Sequence, residues 1–315
     1  MDVLVSGSLA YDRIMDFPGR YVDHLMPDQL DNINVSFMVN GLIEKFGGTA
    51  GNIAYALSLL AEKPRILAAI GQDYQRYFQW LERCGLGTQD IRVIPEEFTA
   101  SAFITTDLGD NQITIFNPGA MNHGSGFDPA GLDPEDTIAI VGPGNLDDMA
   151  KYPGVYKELG VFCIFDPGQS LPAWDGPDLI RTIGQADMLI SNEYELEMIT
   201  SKTGLSIDGL LGTVATVITT KGGGGTEVLT PNEITHVPVV PTPNVVDPTG
   251  AGDAFRGGFI KGLVMGIQVE RAIQMGSVCA HYAIQYYGTQ EYSFTLEEFT
   301  SKMEEQYGPP PRFVH

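Results

Sequence analysis

Residues 247 to 259 read DPTGAGDAFRGGF, and their types and spacing suit one kind of chemistry. Gly250, Ala251 and Gly252 open a helix with nearly bare backbone, so several N–H groups stand unobstructed at the positive end of a helix dipole. That is a cradle for an anion. The next residue, Asp253, is itself an anion, and an Asp at a helix start is by itself a favourable cap. Pro248, three small residues and two acids, Asp247 and Asp253, crowd into seven positions, which is more specialisation than a cap requires. If the cradled anion is a phosphoryl group in flight, the roles divide. The N–H groups stabilise its charge, and the Asp253 carboxylate takes the proton that an acceptor hydroxyl loses as it attacks.

Four further stretches carry polar residues at the ends of apolar runs, and each also has a plain structural reading. GSLAYD (7–12) places Asp12 in a loop, where an acid is ordinary. FGGTAGN (46–52) sets Gly47 and Gly48 before an Ala-rich helix, a pattern that is often only a turn. SNEYELEMI (191–199) puts Asn192 at a strand end and Glu195 in the first turn of a helix, where acids favour the dipole anyway. TTKGGGGTEVL (219–229) holds four consecutive glycines that equally suit a flexible hairpin turn.

Taken together, these stretches resemble the ribokinase-like (PfkB) sugar and nucleoside kinases over essentially the whole chain. DPTGAGD is similar to their D-T-x-G-A-G-D signature, FGGTAGN to G-G-x-x-x-N, GSLAYD to G-S-x-x-x-D and SNEYE to N-x-x-E. The resemblance implies Asp253 as catalytic base, Gly250, Ala251 and Gly252 as anion hole, and Asp247 as part of a monovalent-cation site, K⁺ among the candidates. It implies substrate contacts at Asp12, Gly47, Gly48 and Asn52, ATP contacts at Asn192, Thr220 and Gly222, and Mg²⁺ placed through water by Glu195. One departure is Pro248 where Thr is usual, which removes a hydroxyl and a backbone donor near the cation site.

The elements that must position these residues are visible as patterns. Short apolar runs recur at VLVSG (3–7), 65–71, 137–142, 161–168, 187–191 and 216–220, as expected of buried parallel strands. Helical patterns lie between and after them, at 50–61, 73–83, 147–159, 193–202, from 253 onward, 269–285 and 295–305. The alternation predicts a mainly parallel sheet covered by helices on both faces. With the resemblance, the expectation is a ribokinase-like three-layer α/β fold spanning residues 1–315 as one domain. Residues 31–46 and 98–117 instead alternate apolar and polar residues around turn signals such as LGDN, and read as antiparallel hairpins. They predict a small β-sheet lid formed by insertions at about 12–46 and 96–120, with an edge sheet for dimerisation as the rival use. Phe255, Gly258, Phe259, Gly262, Leu263 and Gly266 form one helical stripe whose three glycines allow a close neighbour.

Composition narrows the partners. The chain has 315 residues, 43% hydrophobic, enough for a sizeable core without staples. Only the Pro-rich end GPPPRFVH has a composition suited to disorder. A net charge of -22 repels nucleic acid polymers and anionic bilayers, while leaving room for a small anion held locally. Three widely spaced cysteines read as reduced thiols, and no signal peptide or membrane-spanning run is evident, which together predict a cytoplasmic protein, monomer or homodimer. No Walker A loop, dinucleotide fingerprint or H-E-x-x-H zinc motif occurs.

The acceptor is read from the lid. Phe37, Met38, Phe103, Ile115 and Phe116 concentrate there and suit the apolar slab a nucleoside base needs, and FNPGAM (116–121) resembles the ligand contact of adenosine-type kinases. The expected activity is ATP-dependent phosphorylation of the 5′-hydroxymethyl of a nucleoside, adenosine first, as in purine salvage. The alternatives are a ribokinase- or fructokinase-type sugar kinase, or a non-catalytic nucleoside or sugar sensor. The same aromatic residues would equally serve as the lid's own core or a dimer seam.

Overall fold

The structure is a computed structural model that describes residues 1–25 and 34–313. The chain begins with β1 (Asp2–Ser6), leaves it into β2 (Ala10–Asp16) and β3 (Asn40–Gly47), and returns through α1 (Thr49–Leu59) to β4 (Arg65–Gly71). It continues with α2 (Gln75–Arg83), β5 (Ile91–Ile94), β6 (Ala100–Thr106), β7 (Gln112–Asn117), β8 (Thr137–Val141), α3 (Leu146–Leu159) and β9 (Phe162–Phe165). Then come α4 (Gly176–Ile183), β10 (Met188–Asn192), α5 (Glu193–Thr203), α6 (Ile207–Leu211), β11 (Thr216–Thr220), β12 (Thr226–Leu229) and β13 (Ile234–Val237). Three helices close the fold: α7 (Ala251–Val264), α8 (Val269–Ala283) and α9 (Leu296–Tyr307).

The main sheet runs β13-β12-β11-β10-β9-β8-β1-β4-β5, parallel from β11 to β5 and antiparallel at β12 and β13. Alternation along each buried strand sends successive side chains to opposite faces, which is why both faces need cover. On one face Val3, Val5, Ile66, Ile140 and Ile190 pack with Ile53 and Leu57 of α1, Tyr77 of α2, Phe255 and Phe259 of α7 and Ile273 of α8. On the other, Leu4, Val141, Phe165 and Leu189 pack with Tyr152 and Tyr156 of α3, Leu179 of α4 and Ile199 of α5. The result is the expected three-layer ribokinase-like fold. Each fully buried Leu, Ile or Phe contributes about 1.5–3 kcal/mol of apolar burial to it. Because the strands are parallel, Gly7, Gly142, Asp166, Asn192 and Lys221 all lie at or just after strand ends on one edge of the sheet, the edge where ligands bind such folds.

A second sheet, in the order β3-β2-β6-β7, holds the lid residues. The 98–117 hairpin forms as expected, β6 pairing antiparallel with β7 around the Asp107–Asn111 turn. The described part of the expected 31–46 hairpin, residues 34–46, forms no hairpin of its own. Its one described strand, β3, pairs with β2, so Asp12 lies on a strand where its motif suggests a loop, and residues 31–33 lie outside the described residues. The central pair, β2 with β6, is parallel, so the sheet is mixed.

The glycine stripe of α7 also divides. A Cβ on Gly258 would come 2.5 Å from the Met275 carbonyl oxygen, and one on Gly262 2.5 Å from Ala272, so these two glycines do admit α8. Gly266 has open space around it and a φ of +66°, and it serves as the left-handed residue just beyond the helix end. At the C-terminus, Phe313 packs edge-on against Phe299, and Arg271 donates to the carbonyls of Tyr307 and Pro309. The Pro-rich end is therefore docked through Phe313.

Candidate active site

Helix α7 starts without a side-chain cap, unlike α3, α4, α5, α6 and α9, each of which has an Asn, Asp, Ser or Thr accepting from its first turn. Its N-cap is Gly250, in the left-handed region at φ 78°, where a Cβ would also press on Thr289 at 2.8 Å. Gly250, Ala251 and Gly252 thus present the bare helix start that the sequence implies. Asp253 lies in the first turn and keeps partial exposure. Asn52 of α1 donates from Nδ2 to its Oδ2 at 2.8 Å, joining the two glycine-rich stretches across the fold. Burial raises the pKa of Asp253 to about 6, against the lowering pull of the Arg256 guanidinium and of the Asn52 hydrogen bond.

Asn52 does not choose its orientation freely. Gln290, on the segment after α8, donates from Nε2 to Asn52 Oδ1 at 3.0 Å and to the Tyr77 hydroxyl at 3.0 Å, while its Oε1 accepts from Trp80 Nε1 at 2.7 Å. Tyr77 in turn donates to the Gly47 carbonyl at 2.7 Å. With Oδ1 of Asn52 so engaged, its NH₂ must face Asp253. In this structure Asn52 therefore touches Asp253, and a contact from it to a sugar hydroxyl requires that bond to be shared or exchanged.

Asp12 lies on β2 opposite Lys45, and its carboxylate rests against Gly47, where a Cβ would sit 2.6 Å from Oδ2. Gly48 follows at φ 91°, and a Cβ there would meet the Ser8 carbonyl oxygen at 2.5 Å. Close backbone approach thus requires glycine at 48, while a methyl at 47 would displace the Asp12 carboxylate. Burial and the field of Asp247 raise the pKa of Asp12, which places these two carboxylates within reach of each other's charge. Asp247 itself accepts from Thr249 N at 2.9 Å and Gly288 N at 3.1 Å.

At the strand ends, Asn192 and Thr220 are register partners on β10 and β11, and Gly222 begins a short turn at φ 50° with open space beside it. Asn192 and Glu195 form a reciprocal capping box: Glu195 N donates to Asn192 Oδ1 and Asn192 N donates to Glu195 Oε2, each at 2.8 Å. The pair that matches the N-x-x-E motif is thus also the pair that caps the helix. Glu195 Oε1 is left over, and burial together with Asp166 raises the Glu195 pKa. Among the described residues no three His, Cys, Asp or Glu side chains group to hold a metal ion. The donor set suits Mg²⁺ only in the form that keeps most of its waters and phosphate ligands.

The sequence pattern of the pfkB family carbohydrate kinases matches residues 11–295. The chain belongs to that family. This pfkB kinase is 28% identical to a nucleoside kinase of Methanocaldococcus jannaschii, an alignment covering 90% of this chain and 95% of the relative. It is 27% identical to a nucleoside kinase of Methanothermobacter thermautotrophicus, with 98% of each chain covered. Among solved structures it resembles the Burkholderia thailandensis nucleoside kinase in complex with inosine, at 39% identity, TM-score 0.86, covering 99% of this chain and 100% of that one. Among the described residues of the pfkB kinase, no helix is long and apolar enough to cross a membrane.

In the pfkB kinase three further residues shape the site. Arg256 and Asp166 form a buried ion pair beside Asp253, and Gln290 orients Asn52. Asp166 carried a usable signal, an acid directly after a buried apolar strand, and Arg256 lies inside the opening motif. Gln290 carried none. The proposed aromatic slab is split: Phe37 packs with Phe17, Tyr21 and His24 in a small cluster of its own, and Met38 is 85% exposed. Phe116 pairs with Ala102, which pairs with Asp12, so Phe116 and Asp12 share one face of the lid sheet. Phe103 and Ile115 pair with each other and with Arg13, on the opposite face.

Proposed function

We propose that this chain is an ATP-dependent nucleoside kinase that phosphorylates the 5′-hydroxymethyl group of a purine nucleoside, with adenosine and inosine as the acceptors of interest. The carrying observation is Asp253, raised to a pKa of about 6 and hydrogen-bonded to Asn52, at a helix start with no side-chain cap. Nucleoside kinases among the relatives, including one solved with inosine, support the acceptor class.

The acceptor's ribose hydroxyls would lie on Asp12 and over Gly47 and Gly48, and its base against Phe116. Asp253 takes the proton from the 5′-hydroxyl as that oxygen forms a bond to the γ-phosphorus. The bond from γ-phosphorus to the bridging oxygen breaks and ADP leaves. The N–H groups of residues 250–252 meet the charge on the transferred group, preorganised donation of the kind whose removal costs about 10²–10³ in rate. Mg²⁺ would be held through water by Glu195 Oε1 near Asn192, Thr220 and Gly222, where it neutralises phosphate charge. Asp247 keeps lone pairs for a monovalent cation such as K⁺.

The test is ADP release with adenosine, inosine, cytidine, ribose and fructose, each with wild type and Asp253→Asn. Release with the purine nucleosides, reduced at least roughly 10³-fold in the variant, is the expected result. Faster turnover of ribose or fructose moves the assignment to a sugar kinase, and release with none of the five favours a sensor.

A further inference from the structure

Asp166, Glu195 and Asp253 act on one another's charge at the strand-end edge where a triphosphate has to enter. An anionic donor entering among three carboxylates needs compensating charge, and Arg256 is so far without a task. Arg256 is 6% exposed and Asp166 is 1% exposed. Arg256 Nη2 donates to Asp166 Oδ1 at 2.9 Å, and Nε lies 2.5 Å from Oδ2 in an ion-pair contact that makes no hydrogen bond, so one directed bond and close opposite charge hold the fork. The third arm, Nη1, lies against the anion hole: a Cβ on Gly252 would be 2.7 Å from it. The buried ion pair with Asp166 restrains the guanidinium, so a methyl at position 252 would press on the arginine as well as on an anion.

The field of this group reaches every acid at the edge. Arg256 lowers the pKa of Asp166, Glu195 and Asp253, although burial leaves all three raised. Burial opposes its own charge, yet Asp166, Asp253 and Glu195 together hold its pKa up. The other groups facing Asp253 are neutral or acidic: Asn52 from α1, Asp166 after β9, Glu195 from α5, and the Tyr292 phenol beyond α8.

The geometry points to Arg256 as a positioning residue for phosphoryl transfer: gripped by Asp166 behind Gly252, it fixes a positive charge under the anion hole, admitting the anionic donor and keeping the base ionised. This rests on Asp253 being the base and residues 250–252 the anion hole.

Steady-state kinetics with inosine and MgATP across pH, for Arg256→Met, Arg256→Lys and the double variant Asp166→Asn/Arg256→Gln, test it. Arg256→Met is expected to lower kcat by about a hundredfold and raise KM for ATP, while KM for inosine stays within roughly threefold. Its acid limb should move to higher pH by about one unit, because losing a nearby cation makes the carboxylate harder to ionise. Arg256→Lys should return the limb most of the way. The double variant removes both charges of the pair, so it reports even if Arg256→Met does not fold, and because the opposing charge of Asp166 goes with that of Arg256 its limb should move up by less than in Arg256→Met. A purely structural ion pair gives another result, which overturns the inference: a lower melting temperature, with the limb and KM for ATP at wild-type values in the folded variants. Failure of the base reading looks different again, as undiminished turnover by Asp253→Asn.

Discussion

On the proposed reading Asp253 is the base and has to be ionised to work, yet it is placed where burial resists ionisation, which raises its pKa from the ordinary 3.8 to about 6. Two consequences follow with opposite signs. For activity, kcat/KM should rise with pH through an acid limb near 6 and level off above it, as a pH profile with a saturating donor will show. For stability, a raised carboxylate favours the protonated folded state. Its contribution is therefore complete below pH 3.8 and lost as pH climbs through about 6. At neutral pH the ionised Asp253 thus costs the fold as much as about 2–3 kcal/mol, less in proportion to its partial exposure. Asp253→Asn, inactive, should accordingly melt higher than wild type at pH 7.5 and equal to it at pH 4, by calorimetry at both. The amide of Gln290 allows a second test at this scale. Gln290→Leu leaves Asn52 Oδ1 and the indole N–H of Trp80 without partners, costing about 1–3 kcal/mol, and frees Asn52 to turn from the base. The expected kinetic result is a kcat reduced roughly tenfold with KM for ATP unchanged. Equal losses in both would mean a general loosening of the site.

Helices α7 and α8 show what an element needs from its sequence. Gly258→Ala forces a methyl against the Met275 carbonyl and Gly276, and such overpacking costs about 1–3 kcal/mol in denaturant unfolding. Gly266→Ala meets no neighbour, and its cost of about 1 kcal/mol comes from the left-handed backbone alone. Both belong to one apolar stripe on paper, so periodicity alone does not separate a packing glycine from a stop. The same limit explains which elements were legible. The parallel strands stand out because burial on both faces makes them continuous apolar runs, and VLVSG, RILAAIG and TIAIVG all became strands. Strand β2, AYDRIMD, escaped because Asp12 and Arg13 make both its faces partly polar. Its parallel partner β6 lies some ninety residues on, and no local pattern encodes that register. Asn192 and Glu195 were found by motif, yet the reciprocal cap they form follows from the same spacing. Gln290, in a turn segment, acts only through what folding brings to it.

At the scale of the whole molecule, the chain must bring a lid built from β2, β3, β6 and β7 over an edge built from seven parallel strands. Arg13 ties the two parts. It holds Glu44 at 3.0 Å within the lid, reaches Asp73 at 3.5 Å beside α2, and lies over the Phe103 ring at 5.3 Å. The lid face carrying Arg13, Phe103 and Ile115 is thus turned away from the face of Asp12 that, on the proposed reading, receives the sugar. Side chains alternate strictly across a strand, so the neighbours Ile115 and Phe116 cannot both meet the same ligand. Phe116 is 50% exposed and Ile115 65% exposed, so either can be shortened without opening the core. An aromatic platform under a base is worth about 1–3 kcal/mol. Phe116→Ala should therefore raise KM for inosine about ten- to a hundredfold, leave any ribose turnover unchanged, and increase ATP hydrolysis in the absence of acceptor as water gains access. Ile115→Ala should do none of these. Equal rises in KM from both variants would mean that the lid acts through its general stability, and the assignment of its inner face from strand register would then be wrong.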